Sequence, residues 1–167
     1  MSDNYYTEEI VKLMLDYNGT DVRRINHALK VFAFAQNIGR AEKCDERTQI
    51  IIEYASILHD IGLHKAEKIY SAGLLKYHEE LGPEVARELI DDLEIDPAVK
   101  DRVYFLIGNH HSYTKINGID FQILVEADML VNMYEDAYSR ETIASVKQKI
   151  FKTKAGKSML DSMYLKT

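Results

Sequence analysis

The stretch ILHDIG, residues 57–62, sets His59 and Asp60 side by side, straight after an apolar run and two residues before a glycine. An imidazole and a carboxylate on an apolar helix face need partners. A buried, unpaired charge costs several kcal/mol or shifts its pKa until it is neutral. The partners must come from elsewhere in the chain, so the reading works outward from this point.

The segment leading into the pair, about 45–59, carries Ile51, Tyr54, Ala55 and Leu58 at helical spacing. Similar spacing recurs on both sides. It predicts helices over about 7–17 (Ile10, Leu13, Met14, Tyr17), 20–38 (Val31, Phe34, Ala35, Ile38, with Thr20 or Asp21 as cap) and 79–93 (Val85, Leu89, Leu93). It predicts two more over about 97–111, opened by Asp96-Pro97, and 120–137, capped by Asp120. A looser segment is expected over about 60–77, and one or two helices should finish the chain. VYFLI, 103–107, has strand-like composition, but the spacing of Val99, Val103, Leu106 and His110 favours helix. Pro83 and Pro97 are expected near helix starts. Gly19, Gly39, Gly62, Gly73, Gly82, Gly118 and Gly156 are expected at breaks, and Gly108 inside a helix. The lysine-rich stretch 147–157 reads as a solvated helix face.

Composition narrows the function classes. At 167 residues, the chain suits one domain with a sizeable core. No apolar run approaches the roughly 20 residues that span a bilayer, and the acidic, polar N-terminus is no secretory signal. The single cysteine, Cys44, forms neither an internal disulfide nor a thiolate cage, which fits a reducing cytoplasm. A net charge of −6 argues against a broad nucleic-acid or anionic-membrane surface. A small anionic substrate stays open, because a bound metal reverses charge locally.

There are six histidines. His27 precedes Val31 by one turn, and Phe34 and Ala35 by two. His59 follows Ala55 and Ser56 by one turn. His110 follows Leu106 and Ile107, and His111 follows Ile107 and Gly108. Asp128 lies between Leu124 and Val131. One inward histidine is more often a hydrogen-bonded core residue than a ligand. Here several helices each bring an imidazole or carboxylate to a core-facing stripe. A dry core would have to satisfy each group separately, whereas one divalent metal site satisfies them together. Adjacent residues on a helix point about 100° apart. His59 and Asp60 can therefore share a centre only near a helix end, and Gly62 supplies that end. His59 can bind one ion while Asp60, with two oxygens, bridges to a second.

The order His27, His59-Asp60, Asp128 resembles the H…HD…D pattern of the HD superfamily of metal-dependent phosphohydrolases. The resemblance covers about residues 20–140. KYHEELGPEVARELI and GNHHSY resemble two further segments of the binuclear members. The resemblance implies an all-α, compact HD-domain bundle of about 6–8 helices, as one domain over 1–167 with C-terminal helices at about 141–167. It implies a first metal on His27, His59, Asp60 and Asp128, and a second on His78, His110 and His111, with Asp60 bridging. His64 stays unassigned. Leu63 stands where many binuclear relatives have a lysine, and the GYP signature of cyclic-dinucleotide phosphodiesterases does not follow the paired histidines.

The activity implied is hydrolysis of a phosphomonoester or phosphodiester of a nucleotide or other small phosphorylated metabolite by a metal-bridging hydroxide. Two divalent ions per chain are expected, drawn from iron, manganese, zinc, nickel, cobalt or magnesium. Asp60 and Lys65 are the catalytic candidates, and Arg23 and Lys65 the substrate-binding ones, with Arg24 second to Arg23. Lys115 and Asn117 follow the paired histidines and are candidates for the pocket rim. Two other readings stand beside this one. One is a di-iron oxygenase, which needs an open coordination position that His111 would tend to fill. The other is a non-catalytic module that binds metal or nucleotide. No membrane partner is expected, and oligomeric state is not legible.

Overall fold

The computed structural model describes residues 5–70 and 74–166. They form nine α-helices and no strand: α1 Thr7–Asn18, α2 Val22–Ala41, α3 Glu46–Leu58, α4 Leu63–Ile69, α5 Leu74–Ile90, α6 Pro97–Ile107, α7 Ile119–Glu135, α8 Arg140–Lys149 and α9 Lys154–Leu160. A 3-10 turn, Tyr113–Lys115, follows α6, and a π-helical turn, Asp161–Leu165, follows α9.

Two helices form the centre. In α3 every residue from Gln49 to Leu58 is buried, and in α7 every residue from Asp120 to Val131. A helix that is apolar on nearly all sides belongs in a core rather than on its edge. The stripe on α3 is therefore wider than Ile51, Tyr54, Ala55 and Leu58 alone. Helix α2 packs on both α3 and α7; α1 and α6 lean on α3, α5 on α6, and α4 on α5. The two buried glutamates on the central pair are satisfied, while the Gln49 side-chain oxygen on α3 has no hydrogen-bond partner. Glu53 accepts from Thr7 Oγ1 at 3.1 Å, Gln36 Nε2 at 3.2 Å and Gln49 Nε2 at 3.0 Å. Glu126 accepts from Gln122 Nε2 at 2.7 Å and from the backbone N–H groups of Lys152 and Thr153 at 2.6 and 2.9 Å.

Helix starts follow the capping rules. The carboxylates of Asp21, Asp45 and Asp96 accept the N–H groups of Arg24, Thr48 and Ala98 at 3.2, 2.8 and 2.8 Å. Asp120 is not a cap: Gly118 precedes α7, and the Asp120 carboxylate is taken by Arg102 at 2.7 Å.

Other boundaries differ from those expected. The segment expected to be looser carries helix in its described residues: α4 covers Leu63–Ile69, and α5 starts at Leu74 and runs through Pro83, while 71–73 lie outside the described residues. The proline ring faces Gly108, where an added Cβ would stand 3.1 Å from Pro83 Cγ. The kink-prone site is thus braced by α6. Helix α6 stops at Ile107, with Gly108 as its cap, so the paired histidines lie in a turn and not on the helix. Gly39, Gly82 and Gly156 lie inside helices, crowded by Gln49, by Ile107, and by Glu126 with Thr153 respectively. Gly73 lies outside the described residues. The stretch 147–157 is split between α8 and α9. Its lysines reach solvent, while Phe151, Thr153 and Gly156 are buried between them.

Candidate metal centre

The fold brings the ends and middles of five elements to one place. His27 stands mid-way along α2, His59 and Asp60 close α3, His78 lies on α5, His110 and His111 follow α6, and Asp128 is on α7. The turn after Asp60 passes close under α5. A Cβ on Gly62 would run into the His78 carbonyl and lie 2.6 Å from the Gly82 nitrogen. Glycine at 62 is what lets α5 carry His78 up to Asp60.

Asp60 faces two ways. Its Oδ2 lies 3.4 Å from His27 Nε2 and 3.3 Å from His59 Nε2. Its Oδ1 lies 3.4 Å from both His78 Nε2 and His110 Nε2. On the first side Asp128 Oδ1 joins the group, 3.2 Å from His27 Nε2 and 3.5 Å from His59 Nε2. On the second side His111 completes a set in which the ligating atoms of Asp60, His78, His110 and His111 lie within 4.8 Å of one another.

The outer ring nitrogens decide what the inner ones do. His27 Nδ1 donates to Glu135 Oε2 at 2.8 Å, and His59 Nδ1 donates to the Ser56 carbonyl at 2.8 Å. His110 Nδ1 donates to the Ile107 carbonyl at 2.8 Å. In each neutral ring the Nε2 lone pair then points inward. His27 Nε2 and His59 Nε2 are 3.1 Å apart, and His78 Nε2 and His110 Nε2 are 3.5 Å apart. Lone pairs that close repel unless a cation stands among them. Donor atoms held about 2.0–2.2 Å from one ion, at tetrahedral or octahedral angles, lie about 2.8–3.6 Å from each other. The spacings of His27 and His59 to Asp60 and Asp128, and of His78 and His110 to Asp60, fall in that range and fit a divalent ion on each side.

Without an ion, the carboxylates favour a proton on His27 and His59, the place a cation would take. Burial by itself pushes the His27 and His59 imidazoles down, but Asp60 and Asp128 outweigh it and raise both, His59 well above the usual range. Burial pushes the Asp60 and Asp128 carboxyls up, and the surrounding histidines outweigh it, so both sit well below the usual carboxylate range. His111 differs: burial, with His110 beside it, brings it down to about 4, which leaves a neutral imidazole suited to a cation.

Two cavities open onto this cluster, of about 380 and 460 Å³, and share Asp60, Leu63, Asn132 and Asp136 in their walls. Arg23 and Arg24 line the first; Tyr113, Met129 and Tyr138 line the second. The Arg23 side chain has no partner among the described residues and reaches solvent. Arg24 is engaged: it binds Asp21 at 3.2 Å, Glu67, and His64 Nδ1 at 3.2 Å. His64 is spent on that contact and stands outside both donor sets.

The structure does not bring Lys65 to the cluster. Its ammonium pairs with Glu84 at 3.0 Å and Glu88 at 3.5 Å on the outer side of α5, and it lines neither cavity. Lys115 and Asn117 are also turned elsewhere, to Asn109 and Arg102.

Several site residues escaped sequence reading. Glu135 holds His27 and is itself paired with Lys30 Nζ at 2.5 Å. Its signal was the seven-residue step from Asp128, which returns to the same helix face. Glu79 Oε1 accepts the His111 backbone N–H at 2.7 Å and pins the paired-histidine turn to α5. Tyr113, whose hydroxyl is 3.5 Å from His111 Nδ1, Asn132 and Asp136 carried no pattern that marked them.

With this geometry in place, the sequence profile of the HD domain matches residues 24–150, which takes in His27 to Asp128 with every proposed ligand. The chain belongs to the HD-domain family. A solved HD relative agrees in fold: the crystal structure of a predicted HD superfamily hydrolase from an uncultured Thermotogales bacterium superposes with a TM-score of 0.69. It is 26% identical, over 95% of this chain and 85% of that one. No curated protein sequence matches this HD chain significantly. Among the described residues, no helix is long and apolar enough to cross a membrane.

Proposed function

We propose that this HD domain is a metal-dependent phosphohydrolase with a binuclear centre. It would cleave a phosphomonoester or phosphodiester of a nucleotide or other small phosphorylated metabolite. The observation that carries this is the division of Asp60, with one oxygen turned to His27 and His59 and the other to His78 and His110. His27, His59, Asp60 and Asp128 would hold one ion, and Asp60, His78, His110 and His111 the other. The nitrogen and oxygen donors suit iron, manganese, zinc, nickel or cobalt, with magnesium the hardest of the candidates.

Two such ions would lower the pKa of a water between them and take up charge on the phosphoryl oxygens. The chain's own residues would do the rest. Arg23 faces the first cavity with a free guanidinium and is placed to bind a non-reacting phosphate oxygen. Asn132, in the wall common to both cavities, offers an amide to an ester substituent. Asp60 would both bridge the ions and orient the attacking water. His111 in the second donor set favours hydrolysis over oxygen activation, which needs that position open. The described residues share one hydrophobic core, which supports a single domain, and the lone Cys44 fits a reducing cytoplasm.

The test is elemental analysis of the purified protein with no metal added, followed by a phosphoester panel run with and without oxygen. About two equivalents of transition metal with oxygen-independent phosphate release support the proposal. No metal, even after adding it back, would overturn it and leave a helical binding module.

A further inference from the structure

Each ligating imidazole is only as well placed as the group that holds its other nitrogen. For His59 and His110 that group is a backbone carbonyl three residues earlier, Ser56 and Ile107, in the last turn of the helix that each one follows. These contacts come with the helix and need nothing from the rest of the fold. His27 differs. It lies in mid-helix, where the carbonyls of its own turn are taken by the helix. Its Nδ1 instead reaches Glu135 on α7, 108 residues away in sequence. The other oxygen of Glu135 is held by Lys30 Nζ at 2.5 Å, and Lys30 lies on α2 one turn after His27. The three groups form a closed link between α2 and α7, the two helices that also carry His27 and Asp128.

From this geometry we infer that Glu135, fixed by Lys30, is the positioning residue of the first ion site: it sets the tautomer and rotation of His27. The inference rests on the metal centre proposed above. Without an acceptor at Nδ1, the His27 ring is free to rotate or to move its proton to Nε2, and the Nε2 lone pair is lost to the ion. Glu135 stands outside both donor sets, although its side chain also lines the first cavity. Glutamine keeps an acceptor oxygen for the imidazole but loses the charge that Lys30 holds. Alanine removes both. Lys30 acts only through Glu135, so its loss should matter only while Glu135 is present.

The experiment uses the full chain, stripped of metal and titrated with Co(II). Binding is followed by calorimetry and by visible ligand-field bands, and the melting temperature of each metal-free variant is measured alongside. We expect Glu135→Ala to weaken the His27-side ion by about 10- to 100-fold, the usual cost of losing an outer-shell partner. Its bands at saturating Co(II) should be altered. Glu135→Gln should restore the bands and recover part of the affinity. Lys30→Met should weaken binding less than Glu135→Ala, and should add nothing to it in the double variant. The His78-side ion should bind each variant as it binds the unchanged protein. Equal affinity and identical bands in Glu135→Ala would overturn the inference while leaving the metal centre standing. So would a parallel loss at both ions, which would mark a general loosening of α7. If the unchanged chain bound no Co(II), the functional reading itself would fall.

Discussion

Gly62 and the His78 carbonyl lie so close that a side chain at 62 has no place to go. The obstruction is backbone, the carbonyl of His78 and the nitrogen of Gly82, so it cannot swing aside. Gly62→Ala should push α5 away from the turn after Asp60 and carry His78 with it. The expected result is a fall from two metal equivalents toward one, with a stability loss of about 1–3 kcal/mol for overpacking. Gly82→Ala is the control. Its Cβ would meet only the Ile107 Cγ2 methyl within 3 Å, a side-chain clash on α6 rather than with backbone beside His78, so stability should fall while the metal count holds. Elemental analysis and urea unfolding read both. Two full equivalents in Gly62→Ala would mean that the approach of α5 is not what places His78.

Asp60 touches four histidines through its two oxygens, whereas His64 touches none of them. Asp60→Ala should therefore empty both ion positions and abolish turnover, and His64→Ala should leave the metal count unchanged. Metal analysis after gel filtration distinguishes them. Retention of full occupancy in Asp60→Ala would disprove the bridging role.

Arg23 and Lys65 are both candidates for the substrate phosphate, and their surroundings differ. Arg23 lines the first cavity without a partner among the described residues, while Lys65 is held by Glu84 and Glu88. A charge-assisted hydrogen bond is worth about 1.5–3 kcal/mol, or roughly 10- to 150-fold in kcat/KM by the usual conversion. Arg23→Ala should lose that much, mostly through KM, on whichever phosphoester the panel identifies. Lys65→Ala should stay within about twofold. The reverse order would place the substrate on the α4 side of the cluster.

Several of the proposed ligands were legible because each carries its own contradiction, a polar group on an apolar stripe, whereas His78 came only through the family resemblance. His27, His59, His110 and Asp128 could be found from spacing alone, since burial without a partner is costly wherever the group lies. The helices were legible for a related reason, their apolar periodicity. What could not be read were features set by close approach. Gly82 and Pro83 look like a break, yet α5 runs through them because Gly62 and α6 press against that face. Asp120 looks like a cap, but Arg102 reaches it first. Lys65 is near the ligands in sequence and away from them in space, because α4 begins just after Gly62 and carries its side chain toward Glu84. Glu135 shows the opposite case, remote from His27 in sequence and bonded to it in the fold.

Glu126, two residues before Asp128, tests whether α7 serves structure and chemistry on separate faces. Two residues turn a helix by about 200°, so Glu126 points away from the ligand cluster. It is fully buried and accepts from Gln122, the Lys152 and Thr153 N–H groups, and the Thr153 hydroxyl. No cation is among those partners; the carboxylate fastens the start of α9 to α7. Glu126→Ala would leave several buried donors unpaired, each costing about 1–3 kcal/mol when no water reaches it. Relaxation of α9 would recover part of this, and the net loss should be about 3 kcal/mol by urea unfolding. The metal count of the variant at low temperature should match that of the unchanged protein. A loss under about 1 kcal/mol would show that α9 is not fastened through this carboxylate, and a loss of metal would show that the two faces of α7 are not independent.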